Sequence, residues 1–169
     1  MAAKINAALA GNPNSGKTTL FNVITGARHH VGNWPGKTVE RRSGTVRHGG
    51  YEIDIVDLPG AYSLAATSPE EVLARDYLID EQPNVVVIVV DASHLERNLF
   101  LATQILEFGA PAVLALNMTD VAEASGIELD LETLAARLGI PVVPLVASKR
   151  QGVERLLAAI VAVGTRAPV

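Results

Sequence analysis

The sequence predicts an α/β three-layer sandwich: a six-stranded, mostly parallel sheet with one antiparallel edge strand and helices on both faces. Two observations predict it. Short, nearly continuous apolar runs alternate with helical patterns, as parallel strands buried on both faces require. Gly49-Gly50 then separates two strand-like runs, the mark of a hairpin turn, and so supplies the antiparallel strand.

The elements follow in order. Strands are expected at residues 5–10, 38–47, 51–57, 85–91, 112–117 and 142–146, with 38–47 antiparallel at the edge. Helices are expected at 16–25, 69–80, 96–108, 131–138 and 153–163. Residues 28–36 lack periodicity and hold two glycines, a proline and the only tryptophan. They read as a long loop, and long loops in compact domains are usually functional or mobile.

The chain has 169 residues, 49% of them hydrophobic, enough for one domain with a real core. Its net charge of −4, without a long basic run, argues against nucleic acid as a partner. The absence of cysteine excludes disulfides and thiolate metal sites. The longest apolar stretch, residues 85–90, is too short to cross a bilayer, and the N-terminus runs straight into a strand, so a soluble chain without a signal peptide is expected.

Chemistry enters at Gly11-Asn-Pro-Asn-Ser-Gly-Lys-Thr18, which fits the phosphate-binding pattern G-x-x-x-x-G-K-[ST] between a strand and a helix. This places the chain in the P-loop NTPase class. Asn12, Asn14, Ser15, Gly16, Lys17, Thr18 and Thr19 are the expected phosphate-side residues. Lys17 reaches the β- and γ-phosphates and the Thr18 hydroxyl holds Mg²⁺. A plain glycine turn is the competing reading. Asp57-Leu-Pro-Gly60 ends the next parallel strand. Its acid suits Mg²⁺ through water, and the Gly60 N–H suits a γ-phosphate. Asn117-Met118-Thr119-Asp120 follows a later strand. A carboxylate only accepts hydrogen bonds, and guanine presents N1–H and N2–H₂ side by side, so Asp120 selects guanine while Asn117 braces the loop and contacts N7. A helix cap or Asx-turn is the alternative. Ala147-Ser148-Lys149 follows the last strand, where a backbone N–H, such as that of Ser148, reaches guanine O6.

In order and spacing the chain resembles the GTP-binding G domains of the translation-factor-related GTPases, and more closely the cytoplasmic G domain of the FeoB ferrous iron transporter family. Residues 11–22, Val31-Gly-Asn-Trp-Pro-Gly36 with Thr38-Val-Glu40, Asp57-Leu-Pro-Gly60 with Tyr62-Ser-Leu64, Asp91-Ala-Ser93 with Leu95-Glu-Arg-Asn98, and Asn117-Met-Thr-Asp120 carry the resemblance. The Gly-Asn-Trp-Pro-Gly loop is the specific part.

The resemblance implies a slow GTPase that cycles between GTP and GDP. Thr38 is then the switch I threonine that closes on Mg²⁺ and the γ-phosphate, and switch II runs from Asp57 to about Glu71. Thr18, Thr38 and Asp57 form the implied Mg²⁺ set. Where many GTPases place a water-orienting glutamine, this chain has Ala61, whose methyl cannot orient water. Arg28, Arg41 and Arg42 border switch I without an evident catalytic role. The resemblance offers Asn14 instead, its amide oxygen coordinating K⁺ with the carbonyls of Gly32 and Trp34, so that Asn14, Lys17 and Thr38 are the expected catalytic set. A backbone-tolerant asparagine is the plainer reading of Asn14. Glu70 and Glu71 read as complements to a helix dipole. His29 and His30 read as solvated loop histidines.

The implied function is a switch regulating ferrous iron uptake at the cytoplasmic face of the bacterial inner membrane, with the membrane transporter portion of the same protein as partner and self-association left open. A potassium-dependent GTPase of RNA modification or ribosome assembly, and a nucleotide-binding module without turnover, are the rivals. The family's helical spacer and transmembrane helices are not found in residues 1–169, which read as a single G domain.

Overall fold

In the computed structural model, residues 3–166 are described. They form a seven-stranded sheet in the order β2-β3-β4-β1-β5-β6-β7. The strands are β1 (Ala3–Gly11), β2 (His29–Asn33), β3 (Glu40–His48), β4 (Tyr51–Asp57), β5 (Val85–Asp91), β6 (Ala112–Asn117) and β7 (Val142–Pro144). The helices are α1 (Lys17–Thr25), α2 (Pro69–Glu81), α3 (Leu95–Glu107), α4 (Thr119–Ala124), α5 (Leu131–Leu138) and α6 (Val153–Gly164).

The parallel centre follows from sequence alone. Side chains alternate between faces along a strand. Ile5, Ala7 and Leu9 of β1 and Val85, Val87 and Val89 of β5 enter one core with Leu20 and Phe21 of α1 and Leu156 and Ile160 of α6. Ala8 and Ala10, with Val86, Ile88 and Val90, enter the other, with Ala74 of α2 and Leu101 and Ile105 of α3. Both faces of β5 are thus apolar and covered. Each fully buried Val, Leu or Ile contributes about 1.5–3 kcal/mol of transfer free energy, which is why these strands form the centre.

Two expectations change at the edge. Residues 29–33 are a strand, not part of a loop, and they pair antiparallel with β3 from His29↔Gly44 to Asn33↔Glu40. The sheet therefore has seven strands, and the antiparallel β3 lies one place in from the edge. Periodicity could not reveal β2. No side chain of β2 is buried, so it carries no alternation for the pattern to show. The last strand is also shorter than expected, ending at Pro144, with Val146 in an isolated bridge to Gln151.

Candidate nucleotide site

The parallel strands β1, β4, β5 and β6 all end on one side of the sheet, where loops gather and open α/β sheets bind ligands. The loop from Gly11 to Gly16 leaves β1 there and turns into α1. Gly16 caps α1 in the left-handed region at φ 86, and a Cβ on it would strike the Asn117 side-chain amide. Glycine is thus required twice, by backbone conformation and by close approach. A Cβ on Gly11 would lie 2.6 Å from the Val89 carbonyl oxygen, so the loop also sits tight on β5. Lys17, Thr18 and Thr19 open α1, whose first N–H groups have no intrahelical acceptor and no acidic neighbour in the first turn. The hydroxyl of Ser15 and both amide atoms of Asn12 are buried without a hydrogen-bond partner. Asn14 is exposed, with φ 69.

Lys17 is buried and donates from Nζ to Asp57 Oδ1 and to the Leu58 carbonyl, the latter at 2.6 Å. The sequence sends this ammonium to phosphate oxygens. Here it is parked on the carboxylate at the end of β4, opposite charges neutralising each other in a desolvated place. Burial pushes the Asp57 carboxyl above its ordinary range, and Lys17 opposes that push.

At the other end Asn117 is buried and spans two loops. Its Nδ2 donates to the Ser15 carbonyl at 3.1 Å, and its Oδ1 accepts from the Ala147 N–H at 3.0 Å. The expected bracing role thus has a geometry: one side chain ties the phosphate loop to the turn at 147–149. Met118 follows at φ 60 and serves as N-cap to α4, an element the sequence reading did not include. Asp120 stands in the first turn of α4, half-exposed, 3.6 Å from Lys149 Nζ. Ser148 and Lys149 are exposed in a short 3₁₀ turn. The Ala147 N–H is already committed to Asn117, which leaves Ser148 as the donor to consider for O6.

The segments expected to move lie across from this brace. Thr38 is exposed on the turn between β2 and β3, whereas Asp57 is buried. Gly32 pairs with Arg41 in the β2–β3 ladder, and the Trp34 carbonyl accepts from Lys37 N–H at 2.9 Å. Ala61 is buried, and its N–H donates to the Gly11 carbonyl at 3.0 Å. Arg42 reaches Glu40 at 3.3 Å, and Arg41 lies over the Trp34 ring.

Glu70 and Glu71 both lie in the first turn of α2, as the dipole reading requires, but Glu71 has a further role. It is buried, and its carboxylate accepts from Ser63 N–H at 3.1 Å, Thr67 N–H at 3.2 Å and the Thr67 hydroxyl at 2.6 Å. The Thr67 hydroxyl first, then these backbone donors, hold its pKa below the ordinary value despite burial. Gln104 of α3 also accepts from Leu64 N–H at 2.7 Å. Neither anchor had a signal in sequence beyond the capping pattern Ser68-x-x-Glu71. Asp91 and Asn98 form a further local network: Asp91 accepts from Ser93, and Asn98 accepts from Asp91 N–H at 3.1 Å. His29 is 2.8 Å from the Gly26 carbonyl and packs edge-on to Phe21.

The donor sets can be tested for chemical fit. Thr18, Thr38 and Asp57 offer the hard oxygens that Mg²⁺ takes. Asn14, Gly32 and Trp34 likewise offer amide and carbonyl oxygens suited to K⁺, though the Trp34 oxygen is engaged by Lys37. The unpartnered Asn12 and Ser15 atoms mark the phosphate loop as a place where polar partners are lacking.

The family model described as "Ferrous iron transport protein B" matches residues 5–160. The Fe(2+) transporter FeoB of Shigella flexneri is 50% identical over 161 residues, which are 93% of this chain and 21% of that protein. The chain therefore spans about a fifth of the length of the curated relatives it matches. The FeoB G domain of Methanococcus jannaschii superposes with a TM-score of 0.87 at 45% identity, over 97% of this chain and 99% of that one. An NFeoB mutant of S. thermophilus, bound to GDP, gives a TM-score of 0.89 at 47% identity, over 96% of this chain and 65% of the other. With its fold, its motif order and most of its length matched, the chain belongs to the ferrous iron transport protein B family.

Proposed function

We propose that residues 1–169 form a single G domain that binds GTP and GDP with Mg²⁺, hydrolyses GTP slowly to GDP and phosphate, and regulates ferrous iron uptake from the cytoplasmic face of the membrane. Its partner is the membrane transporter portion of the same protein. One observation carries the nucleotide reading. Asn117 is bonded to both Ser15 and Ala147, which supports reading the phosphate loop and the base-selecting turn as parts of one site.

The residues then have distinct work. The N–H groups at the start of α1 and Lys17 hold phosphate oxygens. To do so, Lys17 leaves Asp57, which frees that carboxylate for the water shell of the metal. Thr18 and Thr38 offer hydroxyls to the same ion. Mg²⁺ supplies charge neutralisation at the β- and γ-phosphates when bound. Asp120 accepts the two guanine donors, with Asn117, Met118 and the turn at Ala147, Ser148 and Lys149 around the base. Gly60 offers its N–H to the γ-phosphate. Since Ala61 brings no polar side chain, hydrolysis rests on positioning and charge. Asn14, with the Gly32 and Trp34 carbonyls, is the proposed seat of an activating K⁺.

Phosphate release from GTP, compared in KCl and NaCl, tests this reading. Faster turnover in KCl is expected, and Asn14→Ala is expected to bring the two salts to one rate. Equal rates in wild type remove the potassium role. ATP turned over as well as GTP removes the guanine assignment.

A further inference from the structure

Trp34 is out of character with its surroundings. Residues 31–33 and 35–38 are exposed, yet the Trp34 side chain is only 6% exposed and belongs to the core on the α2 face of the sheet. It meets Tyr77 of α2 edge to face, with ring centroids 5.8 Å apart at 75°. The Arg41 guanidinium lies over its ring, 4.7 Å from the centroid. Trp34 also closes the turn below Thr38, donating to the Val39 carbonyl and accepting from the Lys37 N–H, each at 2.9 Å. One side chain thus pins the turn that carries Thr38 to the helix that follows switch II.

The pin is well packed but incompletely satisfied. Aromatic and cation–π contacts hold the ring, while its Nε1–H is buried without an acceptor. An unmade buried hydrogen bond is a standing cost. The seat therefore holds switch I in place, while the unmade hydrogen bond offsets part of what burying the ring contributes.

We infer that Trp34 is a clasp between switch I and α2, the helix that follows switch II, and that Tyr77 is a positioning residue whose ring keeps switch I in its resting hairpin until a γ-phosphate draws Thr38 inward. The inference rests on the GTP-switch reading. Two bound forms then differ in what they must undo. GDP has no γ-phosphate to recruit Thr38 and leaves the clasp shut. GTP opens it and loses part of its binding free energy to that opening.

Trp34 is the only tryptophan, so its emission reports on the clasp without a label. The experiment measures acrylamide quenching of Trp34 with Mg²⁺ and a non-hydrolysable GTP analogue, with GDP, and without nucleotide; calorimetry measures both affinities. In wild type the analogue is expected to raise quenching roughly threefold, and GDP to leave it unchanged. Tyr77→Leu is expected to show the raised quenching without nucleotide, and to bind the analogue roughly threefold more tightly with GDP affinity unchanged. A variant that merely loosened the fold would not tighten one ligand alone. Tyr77→Phe keeps the ring edge and should behave as wild type. The clasp is overturned if the analogue binds and Trp34 stays shielded, or if Tyr77→Leu matches wild type in quenching and affinity. Wild type that binds neither nucleotide removes the switch reading, and the clasp with it.

Discussion

The base end and the switch end of the site are built on opposite principles. At the base end, Asn117 is buried, both ends of its side-chain amide are hydrogen-bonded, and the glycine beside it leaves no room for a Cβ. At the switch end, Thr38 is exposed, Lys17 is bonded to the Asp57 carboxylate, and Trp34 sits in a core with an unsatisfied N–H. The first region is preorganised, so little is lost to ordering when a base arrives. The second is satisfied by partners within the chain, and on the proposed function it exchanges those contacts to bind. On the proposed function, the contrast teaches that recognition and response are separated in space: the base end would decide which nucleotide enters, and the switch end would report how many phosphates it carries.

Breaking the rigid end should have the largest effect. Asn117→Ala leaves the Ser15 carbonyl and the Ala147 N–H without their partner, and two buried groups lose about 1–3 kcal/mol each. GDP affinity is expected to fall at least ~30-fold and up to several thousandfold, since about 1.4 kcal/mol is a factor of ten. Titration with a fluorescent guanine nucleotide checks this. Retained affinity would mean that the phosphate loop keeps its shape without the brace.

Asp120→Asn probes the same end more gently, because the side chain keeps its size and loses its charge. An amide keeps one acceptor oxygen and puts an NH₂ donor where the second stood, so one of guanine N1–H and N2–H₂ loses its partner. A ~30- to 100-fold loss of GTP affinity is expected, as befits about 2–3 kcal/mol for hydrogen bonds to a charged group. Xanthine carries a carbonyl at position 2 and should regain affinity in the variant. Competition between GTP and XTP makes the comparison.

The two ends were also unequally legible in the sequence. The phosphate loop, the fully apolar β5 and the motif around Asp120 declare themselves because local chemistry fixes them: a strand buried on both faces must be apolar, and a loop wrapping phosphate must be rich in glycine. Bracing by Asn117 could be anticipated from residue type, though not its two partners. The switch end was harder to read. β2 carries no buried side chain and so no periodicity. Tyr77 and Gln104 sit on ordinary helices, and their roles exist only once α2 and α3 pack against Trp34 and Leu64. Lys17 belongs to a readable motif, yet its pairing with Asp57 joins residues 40 apart in sequence. Partners that exchange are long-range by nature, so local patterns do not record them.

The smallest expected effect tests whether the switch end holds its own order through one charge. Glu71 gathers Ser63 and Thr67 onto its carboxylate, and Glu71→Gln keeps the shape while removing the charge. Neutral hydrogen bonds are roughly half as strong as charge-assisted ones, so a loss of about 1 kcal/mol is expected. It should be confined to residues 62–68 and visible as faster amide exchange there, with the base end unchanged. The same charge sets a pH dependence. The Glu71 pKa is lower in the folded protein than in the unfolded chain, so the unfolded chain takes up its proton first as pH falls. The stabilisation is complete above the ordinary glutamate range. It shrinks as pH drops through that range and is gone below the lowered folded value. Wild type should therefore approach the Glu71→Gln exchange pattern on acidification, whereas the variant should hold its own pattern across the same window. Parallel loss of protection in both proteins would assign the acid response to another carboxylate and leave switch II ordered by its backbone alone.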